Sequence, residues 1–163
     1  MKVLIVSDTH RKDESLKKII AETKPLDMLI HLGDSEGSEE KIAGWIPAGC
    51  ELQMVLGNND FFSDLDRERE VKIGKYRALL THGHYYNVSL GVERLEQEAA
   101  DRGLDMAMYG HTHKPFYEVH NGITILNPGS LSYPRQEGRK PSYMIMEIDE
   151  QGEAHFTLKF LDK

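Results

Sequence analysis

The sequence predicts an α/β protein in which two packed sheets carry helices on their outer faces. Strand-like and helix-like segments alternate in the first part of the chain, which is typical of βαβ units. After Phe61, short turn signals join the strand-like segments, which favours hairpins. The chain has 163 residues, enough for one sizeable core, and we therefore expect a single domain over residues 1–163.

The first half of the chain predicts the element order β-α-β-α-β. Buried strands are indicated by the apolar runs within 2–7, 27–32 and 51–56. The first helix is indicated by an apolar stripe at helical spacing, formed by Leu16, Ile19, Ile20 and Thr23. The second helix is expected to begin after Ser38 and to carry Ile42, Trp45 and Ile46 on one face. Right-handed crossovers would bring the carboxyl ends of the three strands to one edge of a sheet.

The second half predicts hairpins and one further helix. Two turn signals, Gly74-Lys75 and Asn121-Gly122, lie between strand-like segments at 71–73, 76–81, 115–120 and 123–126. A helix capped by Ser89 and ended by Gly103 is expected to precede a strand over 105–109. A final hairpin is expected to join 142–148 to 154–161. We therefore expect this half of the protein to be largely antiparallel.

Charge and cysteine content exclude several classes of function. A net charge of −7, from 20 basic and 27 acidic residues, weakens attraction to extended nucleic acid and to anionic membranes. The single Cys50 cannot form an intramolecular disulfide or a thiolate zinc site. The first residues lead into a strand rather than a secretory leader, and no stretch approaches the ~20 apolar residues that cross a bilayer. We expect a cytoplasmic protein without membrane partners.

Five apolar runs are each followed at once by side chains that suit hard or borderline metal ions. These side chains belong to Asp8, His10, Asp34, Asn58, His82, His111 and His113. Any one of them alone could be an ordinary turn or capping residue, but five of the eight histidines, these four and His84, fall within three short segments that directly follow apolar runs, 8–10, 81–84 and 110–113. Strands that deliver such residues at one end predict a metal site on the rim of a sheet.

The chemistry of this residue set favours two borderline divalent ions. Aspartate, asparagine and histidine without thiolate suit Mn²⁺, Fe²⁺, Zn²⁺ or Co²⁺ better than Ca²⁺. Paired ions can hold the attacking and leaving oxygens of a phosphoryl displacement and acidify a shared water. The pattern therefore favours metal-assisted phosphoester hydrolysis.

The ordered motifs resemble those of the calcineurin-like metallophosphoesterases, and in particular their small bacterial and archaeal phosphodiesterase branch. They are Asp8-x-His10, Gly33-Asp34, Gly57-Asn58, His82-Gly83-His84, Gly110-His111-x-His113 and the later Asn127-Pro128-Gly129-Ser130. The resemblance covers almost the whole chain. It implies a four-layer α/β/β/α sandwich of two mixed sheets and a dinuclear-metal phosphodiesterase. In such an enzyme a hydroxide held between the two ions attacks a small phosphodiester in line.

The resemblance also implies a division of the ligands between the two metal ions. One ion would be bound by Asp8, His10, Asp34 and His113, and the other by Asp34, Asn58, His82 and His111, so that Asp34 bridges. Mn²⁺ is the expected metal, with Fe, Zn, Ni and Co as alternatives. The candidate catalytic residues are Asn58, Asp60 and His84.

One departure from the family pattern bears on the substrate. Many members have Asn-His-Glu where this chain has Asn58-Asn59-Asp60. Asn59 cannot donate a proton as a general acid, and the change therefore favours diesters with good leaving groups. Asp60 is expected to orient a ligand instead.

Two other functions and several roles stay open at this stage. The same small fold resembles a eukaryotic endosomal-sorting subunit, so a non-catalytic interaction scaffold is one alternative. A phosphomonoesterase or nuclease is another, and a homo-oligomer is compatible with so small a fold. His84 supports a ligand or faces the substrate, and His31 is expected to support Asp34. Arg11 either contacts a phosphate or lies exposed in a loop. Three aromatic residues either wall a cleft or pack, namely Tyr85, Tyr86 and Tyr133.

Overall fold

The computed structural model describes residues 1–162, which form ten strands, three α-helices and one 3₁₀ turn. The first half contains β1 Lys2–Val6, α1 Glu14–Glu22, β2 Met28–His31, α2 Glu39–Trp45 and β3 Glu51–Met54. The second half contains β4 Glu68–Ile73, β5 Tyr76–Thr81, the 3₁₀ turn His84–Tyr86, α3 Glu93–Asp101, β6 Met106–Met108, β7 Pro115–His120, β8 Ile123–Pro128, β9 Ser142–Ile148 and β10 Ala154–Phe160.

The strands form two mixed sheets of five strands each. The first has the order β10-β9-β1-β2-β3, and the second has the order β4-β5-β6-β8-β7. In the first sheet β1, β2 and β3 are parallel, whereas β9 and β10 continue it in antiparallel fashion beside β1. In the second sheet β5, β6 and β8 are parallel, and β4 and β7 are antiparallel strands at the two edges.

Three apolar clusters show how these sheets and helices are layered. The central cluster lies between the sheets and takes side chains from both, such as Val3 and Ile5 from β1 and Ala78 and Leu80 from β5. A second cluster joins the outer face of the first sheet to α1 and α2, and a third joins the outer face of the second sheet to α3. The order of layers is therefore α/β/β/α, which confirms the predicted fold class.

The structure corrects two expectations for the second half. The predicted hairpins are present, but the centre of the second sheet is parallel, because α3 is a crossover that returns the chain from β5 to β6. The helix also begins at Glu93 rather than directly after Ser89. Its first turn is closed by the Glu96 N–H, which donates to the Val92 carbonyl oxygen. Ser89 lies exposed in the preceding loop.

The parallel strands place the predicted ligands at one edge of the molecule. Asp8 follows β1, Asp34 follows β2, and Asn58 follows β3, while His82 and His111 follow β5 and β6. The two sheets face each other, and the carboxyl ends of their parallel strands meet above the central core. Among residues 1–162, no helix has the length and apolar character needed to cross a bilayer.

Candidate metal centre

Asp8, His10 and His113 form the first group of ligands at this edge. The His113 Nε2 atom lies 3.1 Å from Asp8 Oδ1 and 3.2 Å from His10 Nε2. The His10 Nε2 atom lies 3.7 Å from Asp8 Oδ1 and 3.8 Å from Asp34 Oδ2. Three donor atoms of this group are close enough to bind one ion together.

The second group is centred on the imidazole of His82. Its Nε2 atom lies 3.4 Å from Asp34 Oδ2, 3.7 Å from Asp8 Oδ1 and 3.0 Å from Asn58 Oδ1. The same Asn58 oxygen lies 3.1 Å from His111 Nδ1. The structure thus brings all seven predicted ligands together. The carboxylates of both Asp8 and Asp34 lie between the two groups of imidazoles.

Backbone carbonyls fix the orientation of two buried imidazoles. His113 Nδ1 lies 2.7 Å from the Tyr133 carbonyl oxygen, and His82 Nδ1 lies 2.7 Å from the Leu32 carbonyl oxygen. A carbonyl oxygen only accepts, so each Nδ1 donates a proton to it and each ring directs its Nε2 atom inward. This is the arrangement in which a second hydrogen bond prepares a histidine for a metal ion.

Five of the seven predicted ligands have left-handed backbone conformations. Their φ angles are 55° for Asp8, 46° for His10, 59° for Asp34, 70° for His111 and 60° for His113. Each such residue other than glycine costs about 1–3 kcal/mol and persists only where its surroundings hold it. These turns redirect the chain at the strand ends so that the side chains converge on one point.

Serine hydroxyls hold Asp8 from two sides. The Ser7 hydroxyl donates to Asp8 Oδ2 at 2.5 Å, and the His111 N–H donates to the same oxygen at 3.0 Å. Two further hydroxyls, of Ser130 and Ser132, donate to the Asp8 carbonyl oxygen at 2.8 and 2.7 Å. The other carboxylate oxygen, Oδ1, is buried and accepts no hydrogen bond from residues 1–162. It instead faces imidazole nitrogens, as a ligand to a cation would.

The electrostatics of the centre also suit a cation. Burial by itself would raise the pKa of Asp8, but the charge of His82 and the interactions with His10 and His113 together outweigh burial and hold that pKa far below its usual range. Burial likewise opposes ionisation of Asp34, whereas the hydrogen bond and charge of His82 and the hydrogen bonds from Asn59 lower the pKa of this residue to about 2. The two carboxylates in turn raise the pKa of His82 to about 9, against the effect of its burial. Two ionised carboxylates thus create a negative potential that a divalent ion would neutralise.

Asn59 and Asp60 hold the loop that carries Asp34. The Asn59 N–H donates to Asp34 Oδ1 at 2.8 Å, and the Asn59 side-chain amide donates to Oδ2 at 2.9 Å. Asp60 is buried, and its carboxylate accepts backbone N–H groups of Asp34, Gly57 and Glu36 at 2.8, 2.7 and 2.7 Å. Asp60 therefore positions a ligand and does not reach the centre itself.

The remaining candidates lie around the seven ligands. The ring of His84 lies 5.4 Å from that of His82 and 4.2 Å from that of Tyr85. Burial and the neighbouring imidazoles lower the pKa of His84 to about 4, so its ring is neutral at pH 7. His31 is buried, accepts the Gly33 N–H at Nδ1 and lies 2.9 Å from the Thr9 hydroxyl through Nε2. It supports the backbone before Asp34.

The structure also shows the positions of Arg11 and of the three tyrosines whose roles the sequence leaves open. Arg11 is exposed and donates through Nε to the Glu36 carbonyl oxygen at 2.8 Å. The Tyr86 hydroxyl donates to Glu68 at 2.5 Å, outside the ligand cluster. Tyr85 and Tyr133 are both exposed; the ring of Tyr85 lies 4.2 Å from that of His84, and the ring of Tyr133 lies 5.4 Å from that of His10.

The close packing around Gly110 allows the position of Asp8 to be tested by substitution. A Cβ atom at Gly110 would overlap Ser7 Oγ and lie 2.7 Å from Asp8 Oδ2. We expect Gly110→Ala to displace Asp8 and to lower the free energy of unfolding by about 1–3 kcal/mol, as overpacking does. We also expect it to reduce the rise in melting temperature that Mn²⁺ produces. Thermal unfolding with and without Mn²⁺ measures both effects.

Gly44→Ala is the matched control, because Gly44 lies in α2 and a Cβ atom there meets nothing within 4 Å. This change should stabilise the helix by about 0.5–1 kcal/mol and leave the effect of Mn²⁺ unchanged. Equal Mn²⁺ effects in the Gly110→Ala and Gly44→Ala proteins would contradict the packing described around Asp8.

The fold and the ligand cluster together define a metallophosphoesterase: two mixed sheets in an α/β/β/α sandwich, with carboxylates and imidazoles at the sheet edge. Residues 1–151 match the family model for the calcineurin-like phosphoesterase superfamily domain. The chain therefore belongs to this superfamily, and the predicted family and the predicted class of hydrolytic enzyme are confirmed.

Similar proteins come from several bacteria and a eukaryote. The Bacillus subtilis (strain 168) protein named probable metallophosphoesterase YsnB is 33% identical over 164 residues, covering 100% of this chain and 92% of that protein. The phosphodiesterase YfcE of Escherichia coli (strain K12) is 29% identical over 173 residues, covering 91% and 89%. A predicted phosphoesterase from Streptococcus pneumoniae TIGR4 has a similar crystal structure, with a TM-score of 0.82, 26% identity and coverage of 98% and 88%.

The zinc complex of Vps29 from Entamoeba histolytica also has this fold. The TM-score is 0.76 at 22% identity, with coverage of 98% of this chain and 99% of that chain. At this identity the likeness concerns the fold alone.

Sequence reasoning missed the residues that hold the ligands. Ser7, Ser130 and Ser132 contact Asp8, and Asn127 donates through Nδ2 to the Gly110 carbonyl oxygen at 2.9 Å. The Asn-Pro-Gly-Ser motif was the available signal for Asn127 and Ser130. The sequence predicts only that Asn127 lies in a loop near the site, whereas the structure places it at the end of β8, beside Gly110. The contacts with Asp8 and Gly110 could not be predicted, because they span 17 or more positions of the chain.

Proposed function

We propose that the protein hydrolyses a small phosphodiester and that two divalent ions, most simply Mn²⁺, assist the reaction. The observation that carries this proposal is the convergence of two ionised carboxylates, four imidazoles and the Asn58 amide at the meeting edge of two sheets. This donor set contains no thiolate and suits borderline divalent ions.

The predicted ligands would form two metal-binding positions. Asp8, His10 and His113 would hold one ion, Asn58, His82 and His111 would hold the other, and Asp34 would lie between them. When bound, such a pair of ions acidifies a water molecule and neutralises charge on the phosphoryl oxygens. The protein contributes the fixed geometry, since backbone carbonyls and serine hydroxyls orient the rings and Asp8 before substrate arrives.

Asn59 supports a diester rather than an alkyl monoester. Its side-chain amide donates to Asp34 and contains no group that could protonate a departing alkoxide. His84 is neutral at pH 7 and lies beside His82 and His111, where its ring can border the bound substrate. Substrates with good leaving groups need no proton at departure, and we therefore expect them to react fastest.

The sequence and the site also argue against the alternative functions. A non-catalytic scaffold could lose ligands without penalty, yet all seven positions are intact and converge. A nuclease for long chains is disfavoured by the net charge of −7. The phosphodiesterase name of the Escherichia coli relative supports the diester.

The direct test compares one diester and one monoester with the same leaving group. Protein purified without added metal is supplied in turn with Mn²⁺, Fe²⁺, Zn²⁺, Ni²⁺ or Co²⁺. The hydrolysis of bis(p-nitrophenyl) phosphate and p-nitrophenyl phosphate is then followed. We expect Mn²⁺ to support the diesterase reaction at a higher kcat/KM than the monoesterase reaction.

A pair of histidine variants controls for other causes of activity. His111→Ala should lower the diesterase kcat/KM by about 100-fold, because it removes a ligand. His155→Ala, which removes an exposed histidine paired with Asp149, should behave as wild type. Absence of diester hydrolysis with every metal, or equal activity of the two variants, would overturn the proposal.

A further inference from the structure

A cleft of about 770 Å³ opens beside the metal centre, and three cationic side chains line it. Two predicted ligands, His10 and His113, belong to its wall. The other lining residues are Glu36, Lys114, Tyr133, Pro134, Arg135 and Arg139. A second cleft of about 750 Å³ adjoins it and shares Lys114 and Arg135. Because Glu93, Glu96 and Glu118 also line this second cleft, the excess of positive charge lies in the first cleft, beside the metal centre. The space is larger than a single phosphodiester group requires.

The three cationic side chains of this cleft have no partner among the described residues. Among residues 1–162, the side chains of Lys114, Arg135 and Arg139 form no ion pair and no hydrogen bond. Arg102 shows the contrast, because it forms ion pairs with three glutamates, Glu68 and Glu70 of β4 and Glu98 of α3. The one carboxylate of this cleft wall, that of Glu36, lies 3.7 Å from His10 Nδ1, so three cations against one anion leave the wall with a net positive charge in a chain of net charge −7.

The segment that carries Arg135 is fastened to the metal ligands. The Arg135 N–H donates to the His113 carbonyl oxygen at 3.0 Å, and the Tyr133 carbonyl oxygen accepts from His113 Nδ1 at 2.7 Å. The Tyr133 N–H donates to Ser130 Oγ, whose hydroxyl donates to the Asp8 carbonyl oxygen. The backbone of Arg135 therefore keeps a fixed position relative to Asp8 and His113, which a freely moving surface arginine would not.

We propose that Lys114, Arg135 and Arg139 form an anion subsite that selects phosphodiesters bearing a second phosphate or carboxylate on one ester arm. This inference rests on the proposed diesterase function and adds the class of substrate. The scissile phosphoryl group would be neutralised at the metal centre, so the neighbouring cations are available to another anion. Guanidinium groups bind phosphate and carboxylate oxygens through paired N–H donors, and the lysine adds a point charge.

The test uses two substrates that differ only in the additional anion. They are p-nitrophenyl thymidine 5′-phosphate and the same diester with a 3′-phosphate, both given to the Mn²⁺-loaded full chain. We expect kcat/KM for the 3′-phosphorylated diester to exceed that for the plain diester by at least about threefold. The Lys114→Gln/Arg135→Gln double variant should reduce this ratio to less than half of the wild-type value. Because the ratio compares two substrates in one protein, a general loss of activity cancels.

Arg94→Gln is the control for charge alone, since it removes an exposed cation of α3 that lines neither cleft; its ratio should equal that of wild type. Binding gives a second readout. By calorimetry on metal-free protein, thymidine 3′,5′-bisphosphate should bind at least about threefold more tightly than thymidine 5′-phosphate, and the double variant should lose this difference.

The outcomes separate the subsite from the proposed function. Hydrolysis of both diesters at equal kcat/KM, or a ratio that the double variant leaves unchanged, would overturn the subsite while the diesterase function stands. Hydrolysis of neither diester with every metal would overturn the diesterase function. In that case the calorimetric comparison alone decides the subsite.

Discussion

Replacement of Asp34 by asparagine should abolish diester hydrolysis and remove most of the affinity for metal ions. Asp34 Oδ2 lies 3.4 Å from His82 Nε2 and 3.8 Å from His10 Nε2, between the two groups of ligands. Its pKa of about 2 keeps the carboxylate ionised at neutral pH. Asparagine has the same shape but no charge, so both metal positions would lose their shared anion.

The existing hydrogen bonds increase the effect of this change. Asn59 donates its N–H to Asp34 Oδ1 and its amide to Asp34 Oδ2. An asparagine at position 34 has only one acceptor oxygen, so its own NH₂ group must face a donor. We expect Mn²⁺ affinity to fall at least about 100-fold and diesterase kcat/KM to fall at least about 1,000-fold.

Calorimetric titration of Mn²⁺ and hydrolysis of bis(p-nitrophenyl) phosphate measure these two losses. Asp64→Asn is the matched control, because Asp64 is exposed and its carboxylate forms no hydrogen bond with residues 1–162. That variant should bind Mn²⁺ as wild type does. An Asp34→Asn protein that still binds two ions with wild-type affinity would show that Asp34 is not a shared ligand.

The place of the ligands in the fold could be predicted because it depends on local patterns. Buried runs such as Val3 to Val6 and Met28 to Ile30 identify central strands without reference to distant residues. Parallel strands align their carboxyl ends, so residues that directly follow the strands must meet. Asp8 and Asp34 are brought together for this reason, and the structure places them as the pattern indicated.

The strand order of the second sheet could not be predicted in the same way. The turn signals at Gly74 and Asn121 correctly indicate hairpins, but they say nothing about which strand lies beside β5. The segment Met106–Met108 has only three residues and pairs in parallel with both β5 and β8. Its neighbours are decided by the packing of α3 on Leu79 and Ile125, which local periodicity does not contain.

The residues that surround and support the metal centre also could not be predicted from local sequence patterns. Ser130 and Ser132 reach the Asp8 carbonyl oxygen across 122 and 124 positions of the chain. Lys114 and Arg135 meet in one cleft because the backbone of the later loop is bonded to His113. In the sequence these are ordinary loop residues, and only the hydrogen bonds between loops give them a place beside the ligands.

Replacement of Asp60 by alanine should destabilise the protein and lower its metal occupancy together. Three backbone N–H groups, of Asp34, Gly57 and Glu36, donate to this one carboxylate. Alanine would leave them without an acceptor, and an unpaired buried donor costs about 1–3 kcal/mol. Allowing for relaxation and water, we expect a loss of about 3–5 kcal/mol and a fall in melting temperature of about 10 °C.

The metal occupancy should fall as well, because two of the three donors, the N–H groups of Asp34 and Gly57, lie at or next to the predicted ligands Asp34 and Asn58. Once the Asp34 N–H and the Gly57 N–H are released, the loops after β2 and β3 lose their common acceptor. The Asp34 carboxylate would then leave its place between His10 and His82. A drop in Mn²⁺ content after dialysis, measured by elemental analysis, reports this movement independently of unfolding.

Asp60→Asn gives an intermediate case that separates charge from hydrogen bonding. The Asp34 and Gly57 N–H groups both donate to Oδ2, whereas the Glu36 N–H donates to Oδ1. An asparagine whose oxygen occupies the Oδ2 position keeps two of the three bonds and places its NH₂ group towards Glu36. Melting temperature and Mn²⁺ content should therefore fall in the order wild type, Asp60→Asn, Asp60→Ala. If Asp60→Ala retained wild-type Mn²⁺ content, Asp60 would stabilise the fold alone and would have no part in holding Asp34 at the centre.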